Sequence, residues 1–170
     1  MRLKAKFVSS FTLSIALACF SNVAAAALDM FMDIPQAPGE SVYTEFQNKI
    51  DVLAWSWGAS ATASKTVVRC NIQDLSFTKW VDKASPVLLS GQILGTNYPQ
   101  ATLTVRTAGA NPIHTVVIRL FNVRVSSVST GGSGGEDRLT ENVTLHFQSA
   151  SFTYTPAAGG NSSTANLGGC

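Results

Sequence analysis

The chain has 170 residues, a length for one domain with a core of its own. With 45% hydrophobic and 13% charged residues it is neither a disordered tail nor a polyelectrolyte. The formal net charge is +2, and that small excess comes from the first 26 residues, so nothing in the remainder steers the domain to nucleic acid or to an anionic membrane.

Those first residues read as a processed leader. Arg2, Lys4 and Lys6 make a basic start, Phe7 to Phe20 is mostly apolar, and Val23-Ala24-Ala25-Ala26 supplies the small residues of an export cleavage site. The run is too short, and too interrupted by Ser and Thr, for a membrane anchor. Cys19 does not read as a lipid attachment point, because Ala16 and Leu17 stand in the reverse of the usual order. Residues 1–26 are therefore expected to be a signal peptide. Cleavage leaves nine cations against ten acids, a charge of −1, with no membrane insertion after processing.

Beyond the leader, short alternating segments divided by turn residues predict a closed or sandwiched β fold. Met30 to Ile34 begins the first strand. Ile50 to Trp57 follows, apolar on both faces: Ile50, Val52 and Ala54 on one, Leu53, Trp55 and Trp57 on the other. Such a strand must be covered on both sides, by a helix or by another molecule. Val68, Cys70 and Ile72 share one parity and Leu75, Phe77 and Val81 the other, which places a bend near Gln73-Asp74. One helix is expected, with Ser85 as its cap, Pro86 at its first position and Gly95 as its stop, and with Val87, Leu88, Gly91 and Leu94 as its stripe. Ala101, Leu103 and Val105 then alternate with Thr102, Thr104 and Arg106 as a half-buried strand. Ile113 to Val128 is long and β-branched, its parity drifting near Leu120-Phe121. Leu139, Val143, Leu145 and Phe147 hand over to Phe152 and Tyr154 across a second bulge near Ser149. Long strands with bulges fit a curved, barrel-like sheet. From Ala157 the composition is mostly Gly, Ser, Asn and Ala, which reads as a flexible polar tail over 157–170.

A search for chemistry finds little. His114 and His146 read as solvated or hydrogen-bonded side chains, and no metal-ligand spacing exists. Gly131-Gly132-Ser133-Gly134-Gly135-Glu136-Asp137 lacks the Lys or the following helix that a phosphate loop needs, and its acids would repel phosphate; it reads as a flexible hairpin or interface loop. Trp55, Trp57 and Trp80 offer a stacking platform for a sugar or base, or else core and subunit-contact residues. Asn142-Val143-Thr144 and Asn161-Ser162-Ser163 match a glycosylation triplet common by chance. Cys70 and Cys170 leave three readings open: a bond between them, a buried thiol plus an incidental terminal one, or an intermolecular bridge. Composition and periodicity thus stop at an exported β protein with no visible active site, a binding or assembly module.

Several colinear segments go further. They are Asp29-Met30-Phe31, Ile50 to Gly58 (IDVLAWSWG), Asp74 to Lys83 (DLSFTKWVDK), Tyr98-Pro99-Gln100-Ala101, and Val125 to Thr130 continuing through the glycine loop to Val143. Together these closely resemble Hcp, the haemolysin-coregulated protein family that forms the inner tube of bacterial type VI secretion systems. The resemblance covers about Ala27 to Pro156 and implies a mainly β domain over 27–156, a compact β-barrel of two packed antiparallel sheets with one short flanking α-helix. It further implies a non-enzymatic homo-oligomer without cofactors: hexameric rings that stack into a tube, with a sheath, a spike protein and small effectors as partners. By the same resemblance Ser56 and Ser133 face the lumen, where effectors are carried. Trp55, Trp57, Ala59, Lys65, Gly131, Gly132, Gly134 and Gly135 become ring-contact residues, with Ala59 to Lys65 the loop that reaches the adjacent ring.

The chain differs from the family in three places. It carries residues 1–26 ahead of the family's start, its loop after Gly58 is shorter and lacks a run of glycines, and its polar tail stands where the family has a closing strand, leaving an open edge. The expected function is a tube subunit. The alternatives are an exported paralogue, secreted or extracellular, and a secreted hydrolase or carbohydrate- or ligand-binding module that uses the three tryptophans.

Overall fold

The computed structural model describes residues 27–63, 68–109, 112–135, 137–157 and 160–168. Among them run β1 (Leu28–Asp33), β2 (Ile50–Ser56), β3 (Ala59–Ala63), β4 (Val68–Ile72), β5 (Leu75–Trp80), α1 (Ser85–Leu94), β6 (Tyr98–Thr107), β7 (Thr115–Gly131), β8 (Thr140–His146), β9 (Ser149–Thr155) and β10 (Ser163–Gly168). The leader read over 1–26 lies outside the described residues, as do Lys65, Glu136 and Cys170.

The main sheet has the order β10-β9-β7-β6-β1-β2-β5-β8, and β7 also pairs with β8, so the strands from β7 round to β8 close into a barrel. Every pairing is antiparallel. β7 makes the closure possible by serving two sheets. Its residues 115–121 lie between β6 and β9, while 124–131 pair with β8. Between these halves Asn122 takes a left-handed conformation, φ 52°, which turns the strand and flips its parity. Ile118 and Leu120 point inward before the turn, Val123 and Val125 after it. A second extra residue between Val125 and Ser127 flips the parity again, so Val128 packs on the core. The drift expected near Leu120-Phe121 is therefore a sheet-switching bend.

The same device explains β2. Its register shifts between Val52 and Ala54, so Leu53 is the extra residue. Ile50 and Val52 are buried before the bulge and Trp55 packs on the core after it, while Ala54 and Ser56 turn outward. The strand is not apolar on both faces; a bulge has interleaved one face into two parities.

The barrel is filled by Met32, Ile50, Leu75, Phe77, Leu103, Ile118, Leu120 and Leu145, each at most 1% exposed. Burying such side chains contributes about 1.5–3 kcal/mol apiece before entropy is set against it. α1 closes one side through Leu88 and Gly91, whereas Val87 and Leu94 of the expected stripe are exposed. Gly95 stops the helix as expected, at φ 64°. Ser85 is not its cap. Ala84 holds that position, and Ser85 Oγ is drawn instead into a buried polar cluster described below.

Two further expectations are corrected. Ser149 marks no bulge but the start of a separate strand: β8 ends at His146, and the Gln148 N–H donates to the Phe121 carbonyl at the corner. The segment read as a flexible tail contains β10, paired residue by residue with β9 from Ser163↔Tyr154 to Gly168↔Ser149. Its side chains are almost all exposed, and only Leu167 packs on the core, so nothing but the spacing of Ala165 and Leu167 announced a strand.

Candidate functional site

The register of β2, β5, β8 and β7 sets out a surface that no single segment displays. Ser56, Ser76, Thr144 and Ser127 stand side by side across the four strands, and Ala54, Thr78, Asn142 and Ser129 form the next row. Their partners in alternation, Leu75, Phe77, Val143 and Leu145, are buried in the core, so these rows face outward. Ser76 and Thr144 hydroxyls bond at 2.9 Å, and Thr78 Oγ1 donates to Asn142 Oδ1 at 2.6 Å. Those bonds hold hydroxyls and an amide in a fixed, uncharged array. Both borders of this four-stranded face are open. Among the described residues β1 meets β2 only at Asp51 and Ile50, and β7 from Arg124 onward is paired only with β8.

The expected site residues divide around this surface. Ser56 lies on it. Ser133 does not: with the exposed Gly131, Gly132, Gly134 and Gly135 it belongs to the loop at the other end of the strands, beyond the rung Trp80↔Thr140↔Gly131. Ala59 begins the exposed β3–β4 hairpin. The tryptophans are not brought together. Trp55 packs on the core, and the Trp57 indole N–H donates to the Gln73 carbonyl while its ring meets Phe147 and Phe152. Trp80 lies at the glycine-loop end under the Arg138 guanidinium, 5.0 Å from the ring centroid. No shared sugar platform results.

Among the described residues no nucleophile is hydrogen-bonded to a histidine in the manner of a catalytic pair. Asp74 accepts from Ser126 Oγ at 2.8 Å and lies 3.0 Å from His146 Nδ1, so the hydroxyl is held by the carboxylate and not by the imidazole. His114 Nδ1 bonds the Tyr154 hydroxyl at 2.8 Å. Among the described residues no three His, Cys, Asp or Glu side chains group as a metal site.

Two charged clusters went unread in the sequence. Lys79, fully buried, bonds through Nζ to Asp82 Oδ1 (2.7 Å), Glu141 Oε1 (2.8 Å), Ser85 Oγ (3.1 Å) and the Trp80 carbonyl (2.8 Å). Ser85 Oγ also donates to Glu141 at 2.8 Å, and the Ala84 N–H donates to Asp82 Oδ1. The cluster ties the first turn of α1 to β5 and β8. Its signal was available: Lys79 shares parity with Leu75 and Phe77, and Glu141 with Val143 and Leu145.

The second cluster centres on Arg106, whose guanidinium lies over Tyr43 and Phe46 at 4.9 and 5.0 Å and donates to Glu45. Burial works against its charge, but the hydrogen bond to Glu45 and the neighbouring Tyr43 and Glu45 outweigh it and raise its pKa. The stack pins the 41–46 segment beside an open cleft of about 730 Å³ at the gap between β1 and β2. Cys70 is exposed and disulfide-bonded, which sets aside the buried-thiol reading.

These features define a small β-barrel with one flanking helix, whose conspicuous surface is an open, neutral sheet face. Comparison with known proteins makes the class specific. The family described as "Type VI secretion system effector, Hcp" matches residues 31–154. Protein hcp1 of Pseudomonas aeruginosa is 50% identical over 137 residues, which cover 76% of this chain and 85% of that protein. Among solved structures, Hcp1 from Salmonella typhimurium superimposes with a TM-score of 0.70 at 30% identity, covering 82% of this chain and 93% of that one. A type VI secretion system effector from Yersinia pestis gives 0.68 at 29%, covering 82% and 100%. The chain belongs to the Hcp family of type VI secretion proteins.

Proposed function

We propose that this chain is a non-enzymatic subunit of a type VI secretion tube, assembling into six-membered rings that stack and carry small effectors in their lumen. The observation that carries the reading is the neutral outward face of β2-β5-β8-β7 with an open strand edge on each border. Edges at opposite borders of one sheet favour head-to-tail association, which closes into a ring when the rotation per subunit allows. The two hydroxyl rows then line the interior as an uncharged band, beside the rung that carries Arg124, His146 and Asp74, and such a band lets cargo pass and leave. The glycine loop and the β3–β4 hairpin, at the two ends of these strands, become ring-to-ring contacts, and sheath and spike are the outer partners.

Light scattering on the purified protein after size exclusion tests this: a mass of six protomers is expected, with annuli in electron micrographs. A monomer at high concentration would reduce the reading to shared fold.

The Cys70 disulfide favours a second reading, an Hcp paralogue exported to an oxidising compartment through the leader at 1–26. An intact mass beginning at Ala27, with the protein recovered outside the cytoplasm, supports export; a cytoplasmic chain with reduced thiols sinks it.

A further inference from the structure

We propose that the other half of the Cys70 disulfide is Cys170, and that this bond is a strap holding the terminal strand β10 across the β3–β4 hairpin. Cys70 and Ile72 of β4, Ala59 to Ala61 of β3, and Asn166 to Gly168 of β10 line one cavity of about 320 Å³. Cys70 is disulfide-bonded, and the sequence offers only Cys19 and Cys170 as partners within the chain. Cys170 follows Gly168 by two residues, a tether of at most about 7 Å. A disulfide then spans a further ~5.5 Å between Cα atoms. Cys19 is tethered instead to the start of β1, no residue of which lines that cavity.

The strap matters because β10 has little to hold it besides its backbone ladder with β9. Four of its five side chains are exposed, Leu167 alone reaches the core, and its side-chain hydrogen bonds, such as Thr164 to Thr153, lie in solvent. With the bond made, β10 covers the outer edge of β9. With it broken, that edge is released as a template for strand addition by another copy.

Making the bond oxidises two thiols and needs an external disulfide, the active-site pair of an envelope thiol oxidoreductase. The first thiolate attacks one of its sulfurs to form a mixed disulfide, and the second displaces it. The oxidant leaves as a dithiol carrying the two electrons and two protons. The strap is therefore present where such an oxidant is, and absent in a reducing cytoplasm.

The test uses the full chain purified without reductant, by non-reducing peptide mapping and amide exchange. A peptide pair joining residues 70 and 170 is expected. Reduction, Cys70→Ser and Cys170→Ser should each speed exchange of the β10 amides by the same amount, about tenfold or more, with β5 and β8 unchanged. The double variant should add nothing. A peptide joining Cys70 to Cys19 or to a second chain, or β10 exchange indifferent to reduction and to both substitutions, overturns the proposal.

Discussion

Lys79 occupies a place on β5 that its neighbours Leu75 and Phe77 give to hydrocarbon, and it is as buried as they are. A lone ammonium there is untenable; Asp82, Glu141, Ser85 and a backbone carbonyl together satisfy it. The burden falls on whichever charge is left behind when one is removed. Lys79→Met fits the volume but strands Glu141 among apolar side chains, and should cost about 3–5 kcal/mol in urea melts. Adding Glu141→Leu should recover at least half of that, since Asp82 keeps the Ala84 N–H at the helix start. A double variant no better than the single would mean that the cluster stabilises by more than charge compensation. Arg106 makes a complementary case at the barrel rim, where a cation spreads over two rings and one carboxylate to pin a segment that has only one short helical turn, Thr44–Phe46, of its own.

α1 illustrates how an element depends on one missing side chain. Gly91 lies against Tyr98, and a Cβ there would collide with the Tyr98 Oη and stand 3.1 Å from Cζ. Glycine inside a helix is ordinarily a weakness of about 1 kcal/mol, so Gly91→Ala on an open helix would stabilise. Here it should destabilise by about 1–3 kcal/mol through overpacking. Tyr98→Phe removes the colliding oxygen and should restore part of the loss, a coupling that a double-mutant cycle on melting data reads directly. Element by element, legibility followed local chemistry. The helix between Ser85 and Gly95 was readable because Pro86 and Gly95 act on their own neighbours. β5, β6 and β8 were readable because a single unbroken alternation faces a single core. β2 was misread as apolar on both faces, because a bulge at Leu53 trades parities within three residues and only a partner strand reveals it. β10 was read as tail because pairing with β9, and not an apolar face, makes it a strand.

At the scale of the molecule, the polar sheet face was represented in the sequence only by Ser56; the remainder of it is a property of register. Ser76, Thr144 and Ser127 are distant in sequence and individually unremarkable, and they become a row because β5, β8 and β7 pair as they do. Ser133, expected like Ser56 to face the lumen, belongs to the glycine loop at the opposite end of the strands, a difference in position between the two serines. That difference makes the tube reading open to a sharp trial. Ser56→Glu with Ser129→Glu places two carboxylates on an exposed face, so the fold should be as stable as before to within about 0.5 kcal/mol. If the face lines a lumen, the sixfold mass should persist, while acidic effectors cease to co-purify, because six copies multiply each added charge across a confined space. If the face instead packs against a neighbouring copy, the same carboxylates are buried without partners and the assembly falls apart to monomers. Mass and cargo measured on one preparation therefore distinguish a channel wall from a subunit contact, and a loss of mass would require the ring to be closed through some other surface.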